Sequence, residues 1–147
     1  MIGGEKMDIN SLDRFVKAQK NTYQTALTEV KNGKKRTHWM WFIFPQLRGL
    51  GRSEMAYAYG TNGLKEAREY LNDPRLSIRL REICLALLEH KNKTAHEIFG
   101  EVDAMKLRSS MTLFALAGEG ETVFDQVLAQ FFGGKYDEFT VKLLNKQ

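Results

Sequence analysis

Apolar residues recur along this chain at three- and four-residue spacings almost from end to end, a pattern that predicts helices rather than strands. Leu12, Phe15, Val16, Tyr23, Ala26, Leu27 and Val30 fall on one stripe behind an Asn10/Ser11 cap, with Gly33 as a stop, so the first element reads as one long helix. A short helix follows from Ser53 through "EMAYAY" to Gly60, and another covers "LKEAREYL". Asp73 caps a helix with Pro74 in its first position; Leu76, Leu80, Ile83, Cys84, Leu87 and Leu88 make its inner face and leave Arg75, Arg79 and Glu82 to water. Thr94 and Glu97 form a capping box for a brief turn that stops at Gly100. Asp103 then caps "AMKLRSSMTLFALAG", whose second half is apolar on every face and is therefore expected to run through the centre of the fold. Helices over about 122–132 and 137–144 are separated by Gly133 and Gly134. The run "HWMWFIF" is the one strand candidate, because a residue before proline, here Phe44, is biased to extended geometry; it reads equally as a buried helical turn.

The expected architecture is all-α: a single compact domain of six to eight helices over residues 10–147, with one central apolar helix and a flexible N-terminal segment at 1–9. Composition agrees. A chain of 147 residues, 43% hydrophobic and 27% charged, buries a real core in one domain, and two prolines with no Gly/Ser-rich stretch leave no internal boundary. The head "MIGGEKM" lacks the apolar core of a signal peptide, and the longest apolar run, 39–44, is far too short to cross a bilayer, so a cytoplasmic protein without membrane association is expected. Cys84 sits at helical spacing between Leu80 and Leu88 and reads as a buried structural thiol. Three histidines without paired spacing argue against a metal site, and no cofactor is expected.

Standard catalytic patterns fail one by one. "HEIFG" at His96 lacks the second histidine of a zinc-protease helix, "RGLGRSE" has Glu54 where a dinucleotide fingerprint needs glycine, and "GGK" at Gly133 is followed by Tyr136 rather than Ser or Thr. Three looser constellations remain. In the first, Gly49 and Gly51 allow close backbone approach, Ser53 starts a helix, and Arg48 and Arg52 flank the turn; the alternative is a tight turn with solvated arginines. In the second, "KLRSSMTLF" crowds Lys106, Arg108, Ser109, Ser110 and Thr112 onto one helix, where they meet either a ligand or neighbouring loops. In the third, "KNGKKRTHWMWFIFPQL" sets Lys34, Lys35 and Arg36, which read as a solvated loop, beside Trp39, Trp41, Phe42 and Phe44, which read as core. His38 stands between the two sets.

The blocks "HWMWFIFPQL" and "KLRSSMTLF", with "IFG..DAM" and the later "FFGGK", resemble a family of small bacterial domains of unknown function, numbered 1810 among such families. The likeness runs from about residue 10 to residue 144. It implies a compact, mainly α-helical single domain, with the polar members His38, Gln46, Arg108, Ser109, Ser110 and Thr112 belonging to the family pattern.

Three classes of function are open. The first is a pocket for an anionic, ring-bearing small molecule such as a nucleotide or ADP-ribose derivative: Trp39 and Trp41 would stack the ring, and Lys106, Arg108 and the glycine turn would hold phosphate. Hydrolysis is the reaction to look for there, although the sequence offers no nucleophile or metal, and Glu54 and Asp103 have helix-capping explanations. The second is a non-catalytic module that docks an acidic protein segment. The third is nucleic-acid binding, disfavoured because a net charge of +4 comes with no recognisable reading element. The first class further implies that His38 and Arg108 share one cleft.

Overall fold

The computed structural model describes residues 7–120 and 122–147; of the segment expected to be flexible, residues 1–6 lie outside the described part. Ten helices follow in order: α1 Asp13–Lys20, α2 Tyr23–Lys31, α3 Met40–Ile43, α4 Glu54–Ala58, α5 Gly63–Asn72, α6 Pro74–Leu88, α7 Ala95–Phe99, α8 Glu101–Ala117, α9 Val123–Phe132 and α10 Glu138–Asn145. No strand forms among the described residues; a lone parallel bridge pairs Leu47 with Thr61. The domain is all-α, as the periodicity requires.

α8 is the axis. From Ser109 to Ala115 every residue is buried, and α5, α7, α9 and α10 all pack on it. A helix apolar all round needs such a sleeve. The core it anchors includes Phe15, Tyr70, Leu76, Leu80, Ile83, Leu87 and Phe124, each 2% exposed or less. Cys84 is among them, and burial pushes its thiol well above the ordinary range, as befits a packing residue.

Three elements differ from expectation. The stripe from Leu12 to Val30 is divided: the chain leaves the helix at Asn21 and Thr22, where the Thr22 hydroxyl donates to the Ala18 carbonyl at 2.7 Å and competes with the helical ladder. The stripe nevertheless keeps its direction, with Phe15, Tyr23, Ala26, Leu27 and Val30 all buried. "HWMWFIF" takes the helical alternative at 40–43 and leaves the helix at Phe44, before Pro45, in a bend rather than an extended strand. α8 begins at Glu101 rather than after Asp103, because Gly100, at φ +81°, ends α7 and opens α8 in one residue. The first two changes take the helix count from the expected six to eight up to ten among the described residues.

Candidate functional site

The basic and aromatic block is organised by a residue that its own sequence does not contain. Glu29, in α2, faces the loop that follows and accepts from Arg36 N at 2.6 Å, Thr37 N at 3.0 Å, Thr37 Oγ1 at 2.6 Å and Trp39 Nε1 at 3.0 Å. Burial alone raises a carboxyl's pKa; these hydrogen bonds outweigh it and hold Glu29 down to about 2. Trp39 is thereby fixed in the core at 1% exposure. Lys34, Arg36 and His38 are exposed, but Lys35 is not a solvated cation: its Nζ lies 2.9 Å from Asp103 Oδ2 and 4.9 Å from the centre of the Trp39 ring.

Asp103 is where the first block meets the second. Its other oxygen lies 3.5 Å from Lys106 Nζ, which sits 5.3 Å from the centre of the half-buried Trp41 ring. Beyond Lys106 the polar members of α8 turn to the chain itself. Arg108 donates from Nε to the Lys135 carbonyl at 3.0 Å and from Nη2 to the Tyr136 carbonyl at 2.9 Å. Thr112 Oγ1 donates to the Arg108 carbonyl at 2.8 Å and accepts from Asp137 N at 2.8 Å. Ser109 Oγ donates to the Met105 carbonyl at 3.2 Å, and Ser110 Oγ, fully buried, has no partner among the described residues. Arg108 and Thr112 thus hold the 133–137 loop that launches α10.

The glycine turn also has internal partners. Arg48 donates to the Tyr57 carbonyl at 3.1 Å, to Asn10 Oδ1 at 2.9 Å and to the Ile9 carbonyl at 2.5 Å. Gly49 has φ +106°, and a Cβ there would stand 3.1 Å from Leu143; a Cβ on Gly51 would meet that of Ala56 at 2.6 Å. Gly51 is therefore required by packing, and Gly49 by its left-handed backbone conformation. Ser53 caps α4 by accepting from Ala56 N at 3.0 Å, and Arg52 stands exposed beside it. Gln46 contributes its carbonyl to the bridge with Thr61 at 2.8 Å.

Of the candidates taken from the sequence, Gly49 alone among the described residues lines one of the depressions of about 350–580 Å³ on the surface. His38 and Arg108 line none of them. The depression at Gly49 measures about 400 Å³ and is completed by Leu50, Phe139, Lys142, Leu143 and Lys146. Phe139 is 69% exposed, and neither lysine has a carboxylate partner among the described residues. These α10 residues carry a sequence signal that is easy to pass over. Phe139, Lys142 and Lys146 recur at spacings of three and four, so a phenyl lies on the basic rather than the apolar stripe.

The model of the family described as "Protein of unknown function (DUF1810)" matches residues 9–144. The chain belongs to the DUF1810 family. The crystal structure of a conserved hypothetical protein, Rv1873 from Mycobacterium tuberculosis, is similar to it at TM-score 0.90 and 46% identity, covering 94% of this chain and 99% of that one. No curated protein matches. The DUF1810 fold therefore comes with no assigned chemistry. Among the described residues no helix is long and apolar enough to span a membrane, and no cluster of His, Cys, Asp and Glu is suited to a metal.

Proposed function

We propose that the protein binds an anionic, ring-bearing small molecule, of nucleotide or ADP-ribose type, in the depression between the 49–50 turn and α10. The observation that carries this reading is Phe139: a phenyl 69% exposed beside Lys142 and Lys146, on the wall of a concavity of about 400 Å³. An aromatic face takes a planar base at about 1–3 kcal/mol, and two ammonium groups without a carboxylate partner among the described residues take phosphate. Leu50 and Leu143 supply apolar floor, and Gly49 keeps the mouth open where a side chain would crowd Leu143. The lining holds no carboxylate, imidazole, thiol or hydroxyl, so the reading is of binding, with no reaction assigned.

Arg108 acts here at one remove, by fixing the loop from which α10 departs. A thermal-shift series with ATP, NAD, ADP-ribose and inorganic phosphate at millimolar concentration tests the proposal. At least one ring-bearing phosphate compound should raise the melting temperature. The pair Lys142→Ala/Lys146→Ala should abolish that rise, and Phe139→Ala should shrink it by the equivalent of an about tenfold weaker Kd while the effect of inorganic phosphate is unchanged. Arg108→Ala should lower the melting temperature of the ligand-free protein, by the equivalent of about 1–3 kcal/mol for hydrogen bonds from a charged donor. If no compound shifts the wild-type curve, the small-molecule reading falls and a protein-docking module takes its place.

A further inference from the structure

The fold brings together two basic stretches that lie far apart in the sequence, "KNGKKR" at 31–36 and "HKNK" at 90–93. His90 Nε2 lies 2.6 Å from the Val30 carbonyl, and Lys93 Nζ donates to the Gly33 carbonyl at 3.2 Å, so the α6–α7 connection sits against the end of α2. Lys31, Lys34, Lys35, Arg36, Lys91 and Lys93 are six cations, more than the whole of the chain's net +4, and neither stretch contains a carboxylate. The charge is therefore strongly polarised, which a count over the whole chain conceals. Lys35 is paired with Asp103, while the other five are exposed.

Local structure explains part of this cluster. Lys31 lies in the last turn of α2, where a cation complements the helix dipole, and Lys93 satisfies a loop carbonyl. It does not explain Lys34, Arg36 or Lys91, which have no ion pair among the described residues. The nearby carboxylates do not neutralise them: Glu29 is enclosed by its own loop, Glu97 is held in the capping box with Thr94, and Glu89 stands at the border.

Beside the cations runs a depression of about 350 Å³, lined by Lys34 and Arg36 together with Gln24, Thr25, Thr28 and Asn32, and by Glu29, whose two carboxylate oxygens are already taken by Arg36 N, Thr37 and the Trp39 indole. Lysine, arginine, threonine and amide side chains are the set that contacts phosphodiester oxygens. Neither basic stretch contains an exposed large apolar side chain; Val102, 66% exposed, comes near through its neighbour Asp103, the partner of Lys35. A docked protein would want an apolar anchor here, and a bilayer an apolar edge. A lone valine at the edge makes neither.

We infer that this face binds the phosphate backbone of a nucleic-acid duplex, without reading its sequence. Its site is separate from the depression at α10. Fluorescence anisotropy with a labelled 20-base-pair DNA duplex tests it. With about four phosphates neutralised, affinity should fall roughly 100-fold between 50 and 200 mM salt. Lys34→Glu/Arg36→Glu should weaken binding at least tenfold, and adding Lys91→Glu/Lys93→Glu should abolish it, with the melting curve of each variant confirming the fold. Lys142→Ala/Lys146→Ala should leave duplex binding within threefold of wild type. The inference is overturned if the duplex fails to bind at 50 mM salt, if the four-site variant binds as tightly as wild type, or if poly-glutamate of equal charge competes as well as unlabelled duplex.

Discussion

Arg14→Met is expected to destabilise the domain by about 3–5 kcal/mol, which in a chain of this size lowers the melting temperature by roughly 10 °C or more. Arg14 is a charged residue with a fully buried side chain, and all five of its N–H groups are engaged. Nε donates to the Ala58 carbonyl at 2.9 Å; Nη1 donates to the Ser11 carbonyl at 2.7 Å and Glu66 Oε2 at 3.0 Å; Nη2 donates to the Gly60 carbonyl and Glu66 Oε1, both at 2.8 Å. Removing the guanidinium leaves the Ala58 and Gly60 carbonyls without a donor, the Ser11 carbonyl with the Arg14 backbone N–H alone at 3.2 Å, and Glu66 with one remaining hydrogen bond, from Asn62 N at 2.8 Å. A stranded buried carboxylate is the larger part of the cost. Arg14→Met/Glu66→Leu should therefore be no less stable than Arg14→Met alone, a coupling that chemical denaturation of the four proteins would measure. A loss below about 1 kcal/mol in the single variant would show that Glu66 finds water, and the clasp would then be ornamental.

Glu29→Ala should cost about 3–4 kcal/mol, because it orphans the indole N–H of buried Trp39 and two backbone N–H groups of the loop. The same site writes a pH dependence. Its folded-state pKa of about 2 lies below that of an unfolded carboxyl, so the stabilisation is complete above about pH 4.5 and is lost as the pH falls towards 2. The loss amounts to about 3 kcal/mol for a shift of this size. Glu29→Gln keeps an acceptor oxygen but cannot titrate. Its melting temperature should start lower at pH 7 and fall less steeply below pH 4.5 than that of wild type; parallel acid limbs for the two proteins would remove Glu29 from the account.

The sequence made some of this legible and hid the rest for identifiable reasons. Helix starts at Ser53, Asp73, Thr94 and Asp137 could be read because a cap is a contact between residues two or three positions apart. The central role of α8 could be read because an unbroken apolar surface admits one placement. The break at Thr22 could not, since the apolar stripe continues in phase across it and a stripe reports direction, not continuity. The partners of Arg108 are carbonyls 27 and 28 residues away, and a carbonyl leaves no mark in a sequence. Glu29 escaped notice for a related reason. It lies on a helix before the conspicuous block, and half of its partners are backbone N–H groups.

The sleeve around α8 also determines how the molecule comes apart. Because α5, α7, α9 and α10 share this one helix as their inner wall, no pair of them encloses a core of its own, and none of the four can lift away without uncovering α8. The backbone amides of residues 109–115 should then exchange with deuterium only through global unfolding. Those of α10, which carries Phe139, Lys142 and Lys146 at the surface, should exchange through smaller local openings. The proposed ligand would in that case slow exchange in α10 and leave the central helix at the rate set by the whole fold.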